Sequence, residues 1–82
     1  MKLSIYSIKK ILFEGTIEKV TIPTWSGQIT VLDNHLPLVT LVKNGMVRYY
    51  SSEHEWREVF FPGGIAEVRP GSEVVLLARE EA

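Results

Sequence analysis

Turn-forming pairs punctuate this chain from one end to the other: Glu14-Gly15, Ser26-Gly27, Asp33-Asn34, Asn44-Gly45, Gly63-Gly64 and Pro70-Gly71. Glycine reaches positive φ without steric cost, proline presets φ, and Asn or Asp bonds back to its own backbone, so each pair favours a reversal. The runs between them are short and rich in Val, Ile and Thr, which make up about a quarter of the residues. Stiff, β-branched side chains suit a pleated, half-buried surface. Short runs at this spacing predict an all-β sandwich or barrel.

Residues 2–7 alternate, with Leu3 and Ile5 on one face. Residues 16–22 alternate too, but Ile17 is odd-numbered whereas Val20 and Ile22 are even. A one-residue slip turns the wrong side chains inward unless the chain absorbs it, so a bulge is expected near Glu18-Lys19. Residues 28–32 and 38–42 follow as strands. Asn44-Gly45 is the strongest hairpin signal, because both residues tolerate the positive φ of a type I′ turn, and it is expected to join residues 38–43 to 46–51. Residues 56–61 come next, stopped by Pro62, which cannot donate to a ladder. Residues 65–69 and 72–78 form a second hairpin, with Pro70 and Gly71 at the centre of a type II turn. Val74-Val75-Leu76-Leu77 is apolar on both faces, as in a central strand. The one helix-like stretch, residues 8–13, is too short and uncapped to stand alone, so it reads as a loop with a short strand at Leu12-Phe13. The tail Arg79-Glu80-Glu81-Ala82 reads as the start of a polar segment.

Eighty-two residues make a single domain, 1–82. Apolar residues are 45% and charged ones 23%, enough to build a core. Nine basic and ten acidic residues leave a net charge of −1, which argues against a nucleic-acid module and its cationic face. With no cysteine there is no disulfide scaffold, cysteine zinc site or thiol nucleophile. The longest nearly apolar run, residues 36–42, falls far short of the about twenty residues of a spanning helix. The first residues lack the apolar stretch of a signal peptide and the arginines of a transit peptide, so a soluble, unexported chain is expected.

Candidate chemistry is sparse. No glycine-rich phosphate loop occurs. His35, two residues after Asp33, is a conceivable base, but no oriented partner can be named, and a locally hydrogen-bonded loop residue is the better reading. Glu53-His54-Glu55 offers metal-binding side chains, yet consecutive residues at a hairpin tip diverge, so a solvated loop is expected. Trp56 heads an alternating strand and reads as core or sheet-face packing. Tyr49-Tyr50 place one ring on each face. Trp25, between Thr24 and Ser26, is a large ring on a polar loop: it either folds back over the sandwich end or meets a partner. No catalytic apparatus or cofactor is indicated.

One ordered set of segments carries more than composition. Phe13-Glu14-Gly15, Val20-Thr21-Ile22-Pro23-Thr24, Gly27-Gln28-Ile29-Thr30-Val31-Leu32, His35-Leu36-Pro37-Leu38-Val39-Thr40-Leu41 and Gly45-Met46-Val47-Arg48 are followed by Gly63-Gly64-Ile65-Ala66-Glu67-Val68 and Val74-Val75-Leu76-Leu77-Ala78. Over essentially the whole chain this resembles the N-terminal domain of the ε subunit of the F-type ATP synthase. Two departures occur, Asp33-Asn34 where the family often has Pro-Gly, and Thr30 where it often has Gly. Asp and Asn are turn formers, so the bend survives.

The resemblance implies an all-β, two-sheet β-sandwich of about ten short strands at the foot of the rotor's central stalk. Such a subunit is non-catalytic. It holds the γ subunit against the membrane c-ring during proton-driven ATP synthesis, as a peripheral component on the cytoplasmic face of the inner (plasma) membrane. The implied ring contacts are Trp25, Ser26, Gln28 and His35, with His35 at the same end as the 25–28 loop. The implied γ contacts are His35, Leu36, Leu38 and Thr40. Partners are then γ and the c-ring, with no nucleic acid, cofactor or small ligand, and membrane association only through the complex. The family's two-helix extension has no counterpart in residues 1–82, and Met1 together with the native-looking ending favours a short form. Two other readings are a generic β-sandwich interaction module and a small hydrolase using His35.

Overall fold

In the computed structural model, which describes residues 1–79, every regular element is a strand: β1 (Lys2–Tyr6), β2 (Ile11–Thr24), β3 (Gly27–Val31), β4 (Leu38–Val42), β5 (Gly45–Ser51), β6 (Trp56–Phe61), β7 (Gly64–Arg69) and β8 (Glu73–Ala78). The acidic end of the polar tail, 80–82, lies outside the described residues. The count is eight rather than about ten, because β2 runs for 14 residues and serves both layers. Glu14-Gly15 is therefore not a turn. Gly15 lies inside β2 opposite Leu3, and a Cβ there would stand 3.2 Å from the tip of the Phe13 ring, so the aromatic covers the glycine.

The bulge sits where the parity slip placed it. Ile17 pairs with Ser51 and Lys19 with Tyr50, leaving Glu18 unpaired. On one side of it β2 pairs with β1, and on the other with β3 and β5. One layer is thus the first part of β2 with β1, β8, β7 and β4. The other is β3, the second part of β2, β5 and β6. The layers also meet at a second corner, where Thr24 pairs with Val42 and the Lys43 amide donates to the Pro23 carbonyl at 2.9 Å. β8 lies between β1 and β7, a central strand as expected; Val74 and Leu76 face the core, Val75 is buried too, and Leu77 is half-exposed on the outer face.

Between the layers Leu3, Ile5, Ala66, Val68, Val74 and Leu76 face Val20, Ile22, Val31, Val47, Tyr49 and Phe61, all buried. Phe13 and Tyr49 bridge the gap with ring centroids 4.4 Å apart. Each large apolar side chain removed from water in this way contributes about 1.5–3 kcal/mol. Tyr50 points to the opposite face, as expected.

One expected hairpin does not form. β4 pairs with β7 and β5 with β6, and no β4–β5 ladder exists. Asn44 has no positive φ, so Asn44-Gly45 is not a type I′ turn. Val42 and Val47 each belong to the core of a different layer, and burying both forces the two-residue link to turn a corner between layers. The β7–β8 hairpin does form, with Gly71 at φ 84 as a type II turn requires. Ser72 is also left-handed, at φ 57, so Arg69 faces Glu73 across a three-residue loop.

Candidate functional site

The β2–β3 hairpin turns on Trp25-Ser26, since Thr24 pairs with Gly27. Neither turn residue has positive φ, and Gly27 at φ 114 restores the twist that the strands need. Buried Thr24 braces the turn: its Oγ1 accepts the Ser26 amide at 3.2 Å and donates to the Gly27 carbonyl. On this scaffold the Trp25 ring is 69% exposed, so it does not fold back over the sandwich. The Lys43 ammonium stands 5.6 Å from its centroid, and Ser26 and Gln28 are exposed beside it.

His35 is not at that end. It follows β3, whose five residues separate it from Trp25 by roughly 17 Å at ~3.3 Å per residue. Its amide donates to the Leu32 carbonyl at 3.2 Å, and Nδ1 lies 2.7 Å from the Leu36 carbonyl oxygen. Asp33 does not orient it: the Asp33 carboxylate is 3.4 Å from the Met1 amino group. Asn34, left-handed at φ 64, donates its amide to Ser72 Oγ at 3.2 Å. Trp25, Ser26 and Gln28 therefore lie at the opposite end of β3 from His35, because an extended strand cannot bring its own termini together.

Of the other residues implied on the γ side, Leu36 is the most exposed apolar residue in the described chain, at 79%. Leu38 is half-buried against the core, and Thr40 is half-buried with its hydroxyl turned to the Leu41 carbonyl. The outward positions of β4 are instead Val39 and Leu41, both largely exposed. Leu41 faces Ile65 on β7, and Ile65 faces Leu77 on β8. These three exposed side chains make one apolar row across the outer face of the first layer, continued by Tyr6 on β1.

The outer face of the second layer is charged and aromatic. Trp56 is a sheet-face residue, half-exposed, with Tyr50 at 5.2 Å and the Lys19 and Arg48 cations at 5.3 and 5.1 Å from its ring. Glu53, His54 and Glu55 do not converge. His54 Nδ1 pairs with Glu18 at 3.0 Å, and Arg57 lies 4.0 Å from Glu53 and 3.5 Å from Glu55.

Residues 1–81 match the family described as the ATP synthase Delta/Epsilon chain, beta-sandwich domain. The chain belongs to that family. Its fold is similar to a chain of the Euglena gracilis mitochondrial ATP synthase, solved as the OSCP/F1/c-ring assembly, with a TM-score of 0.87 and 20% identity over 95% of this chain. It is also similar to a chain in the central stalk and c-ring of the Tetrahymena thermophila mitochondrial ATP synthase, with a TM-score of 0.73 and 11% identity over 93% of this chain. The chain spans 49% and 60% of those two chains. Within this Delta/Epsilon sandwich, sequence reasoning covered the stretch 36–41 but singled out Leu38 and Thr40 rather than the outward Val39 and Leu41, and it missed the exposed Ile65 and Leu77. The signal was available in part: buried Val42 and buried Ala66 fix the inward parity of β4 and β7, so their odd-numbered residues must face out.

Proposed function

We propose that this Delta/Epsilon chain is a non-catalytic rotor subunit that joins the γ subunit to the c-ring at the foot of the central stalk. It would sit peripherally on the cytoplasmic face of the membrane through that complex. The observation that carries the reading is the exposed apolar row Leu41–Ile65–Leu77 on a folded sheet face. Isolated soluble proteins rarely leave a contiguous row of this kind in water, and it suits a partner of similar character. This row forms the γ side together with Leu36 and His35, which lie beyond the other end of β4, whereas Leu38 and Thr40 share the inward face of that strand with Val42. Trp25, Ser26 and Gln28 form the ring side, separated from His35 along β3.

The subunit would transmit torque as a solid body. Two sheets packed at core density are stiff, so force applied at one face reaches the other end without shear. No bond need be made or broken by the chain itself. The decisive experiment is gel filtration of this chain with its cognate γ subunit: a single co-eluting species is expected, and two separate peaks would discard the reading. The ring side is tested apart from it. Trp25→Asp should leave γ binding intact and weaken capture of the cognate c-ring, since a buried aromatic anchor is worth about 2 kcal/mol or more at an interface.

A further inference from the structure

β4 forms one margin of the first layer, pairing along its length with β7 and meeting β2 only where Val42 faces Thr24. Successive residues of a strand aim their backbone N–H and C=O at opposite edges. The Lys43 amide points to β2, since it donates to the Pro23 carbonyl at 2.9 Å, so the amides of Leu41 and Val39 point the same way, away from β7. The next ladder agrees. The Arg79 amide donates to the Gly63 carbonyl at 3.0 Å, so odd-numbered residues of β7 bond β8 and even-numbered ones bond the even-numbered residues of β4. Among the described residues no strand pairs with β4 on its other side before Val42. The side chains are as open as the backbone. Leu38 and Thr40 point inward with Val42, yet both are only half-buried where Val42 is 3% exposed, so the core is unfinished along this edge. Val39 and Leu41 stand largely in water on the outer side. Edge strands commonly carry charge or proline as a guard against pairing. β6, at a margin of the second layer, has Arg57 and Glu58 in its middle, whereas Leu38-Val39-Thr40-Leu41-Val42 has neither guard.

We propose that an extended, apolar segment of the γ subunit adds to β4 as a further strand. The proposal rests on the reading that the apolar row meets γ, and it supplies the mode of contact: backbone pairing along the margin of that row. The row Leu41–Ile65–Leu77 crosses β4, β7 and β8 and stops at this edge, so a strand laid beside β4 continues it by one spacing, about 4.8 Å. The Val39 N–H and C=O and the Leu41 N–H would bond the added strand. Its inward side chains would finish covering Leu38 and Thr40, and its outward ones would stand beside Val39 and Leu41. The Leu41 carbonyl already accepts the Thr40 hydroxyl at 3.4 Å and Thr24 closes the edge at Val42, so pairing is confined to residues 38–41. Main-chain bonds supply affinity in such an arrangement, and the alternating side chains select the segment. Two copies of this chain joined edge to edge would touch through a few residues a side, far below the about 20–30 of a stable interface, whereas a larger partner covers the edge and the row together.

The test compares the full chain, free and bound to its cognate γ subunit, by residue-resolved amide hydrogen exchange. The Val39 and Leu41 amides are expected to exchange about tenfold more slowly, or slower still, in the complex, while Thr40, already bonded to β7, changes little. Val39→Pro removes the edge N–H and leaves the β7 ladder intact, as proline does on an edge strand. With a urea midpoint confirming its fold, this variant should bind γ about tenfold more weakly or worse, and Val39→Thr, which keeps the N–H, should retain binding. Should Val39→Pro not fold, the exchange pattern decides. A complex that forms with exchange at Val39 and Leu41 unchanged, or with folded Val39→Pro binding normally, would overturn the strand addition and leave the γ reading standing. Failure of the wild type to bind γ at all would remove both. Slowed exchange at these two amides on concentrating the chain alone, with a doubled mass in sedimentation, would give the edge to a second copy and also overturn the proposal.

Discussion

Gly64 and Gly71 show how differently two glycines at turn-like positions are constrained. A Cβ on Gly64 would meet the Leu77 carbonyl oxygen at 2.0 Å, with the Ala78 backbone at 3.0 Å, because β7 begins there pressed against β8. Neither neighbour is a flexible side-chain tip, so the ladder itself must move. Gly64→Ala should lower stability by about 2–4 kcal/mol in urea unfolding. Gly71 has open space around its Cβ position and only the left-handed φ of 84 to satisfy, so Gly71→Ala should cost about 1–2 kcal/mol. Equal losses at the two sites would mean that backbone conformation, not the close approach, governs Gly64. His35 makes a related point at this scale. Its ring is held by the adjacent Leu36 carbonyl, the local bond expected of a loop histidine, and no third group stands behind it.

At the scale of the element, β2 organises the molecule. Its bulge was legible because alternation is a strict count: Ile17 and Val20 are both buried, which period two forbids without an extra residue. Its length was not legible, because Glu14-Gly15 carries a turn signal that β1 overrides by pairing through it. Deleting Glu18 would keep Lys19 outward and Val20 inward on the β5 side while removing the residue that lets the strand bend between layers. A loss of about 2–3 kcal/mol in urea unfolding is expected. Glu18→Ala removes only the exposed pair with His54 and should stay within about 0.5 kcal/mol. Similar stabilities for the deletion and the substitution would show that the corner does not depend on the bulge. β4 and β5 illustrate the opposite failure. Asn-Gly is a strong local hairpin signal, but local preference of this size yields when two core residues belong to different layers.

For the whole molecule, what matters is that one folded sheet has two outer faces of different character. The first-layer face carries its apolar row where nothing in the described chain covers it. Leu41→Lys combined with Ile65→Lys should leave the urea midpoint nearly unchanged, since both side chains already stand in water. The same pair should abolish co-elution with γ. Retained co-elution would place the γ side elsewhere on the sandwich, and a collapsed midpoint would show that the row supports the fold. The second-layer face offers no comparable row, because Lys19, Arg48 and Glu58 intervene among Tyr50, Trp56 and Phe60.

By itself the sequence determined that this chain is all-β, where the bulge falls, which proline ends β6, and that β8 is a central strand. These follow from side-chain period and backbone stereochemistry, which act over a few residues and leave their mark in order along the chain. Which strands pair across the molecule, that Asn44-Gly45 turns a corner, that Leu41, Ile65 and Leu77 line up, and that Lys43 stands beside Trp25 were decided only by the tertiary structure. Those relations join residues far apart in the chain. They are set by which set of buried side chains fills one core, and no local preference encodes that choice.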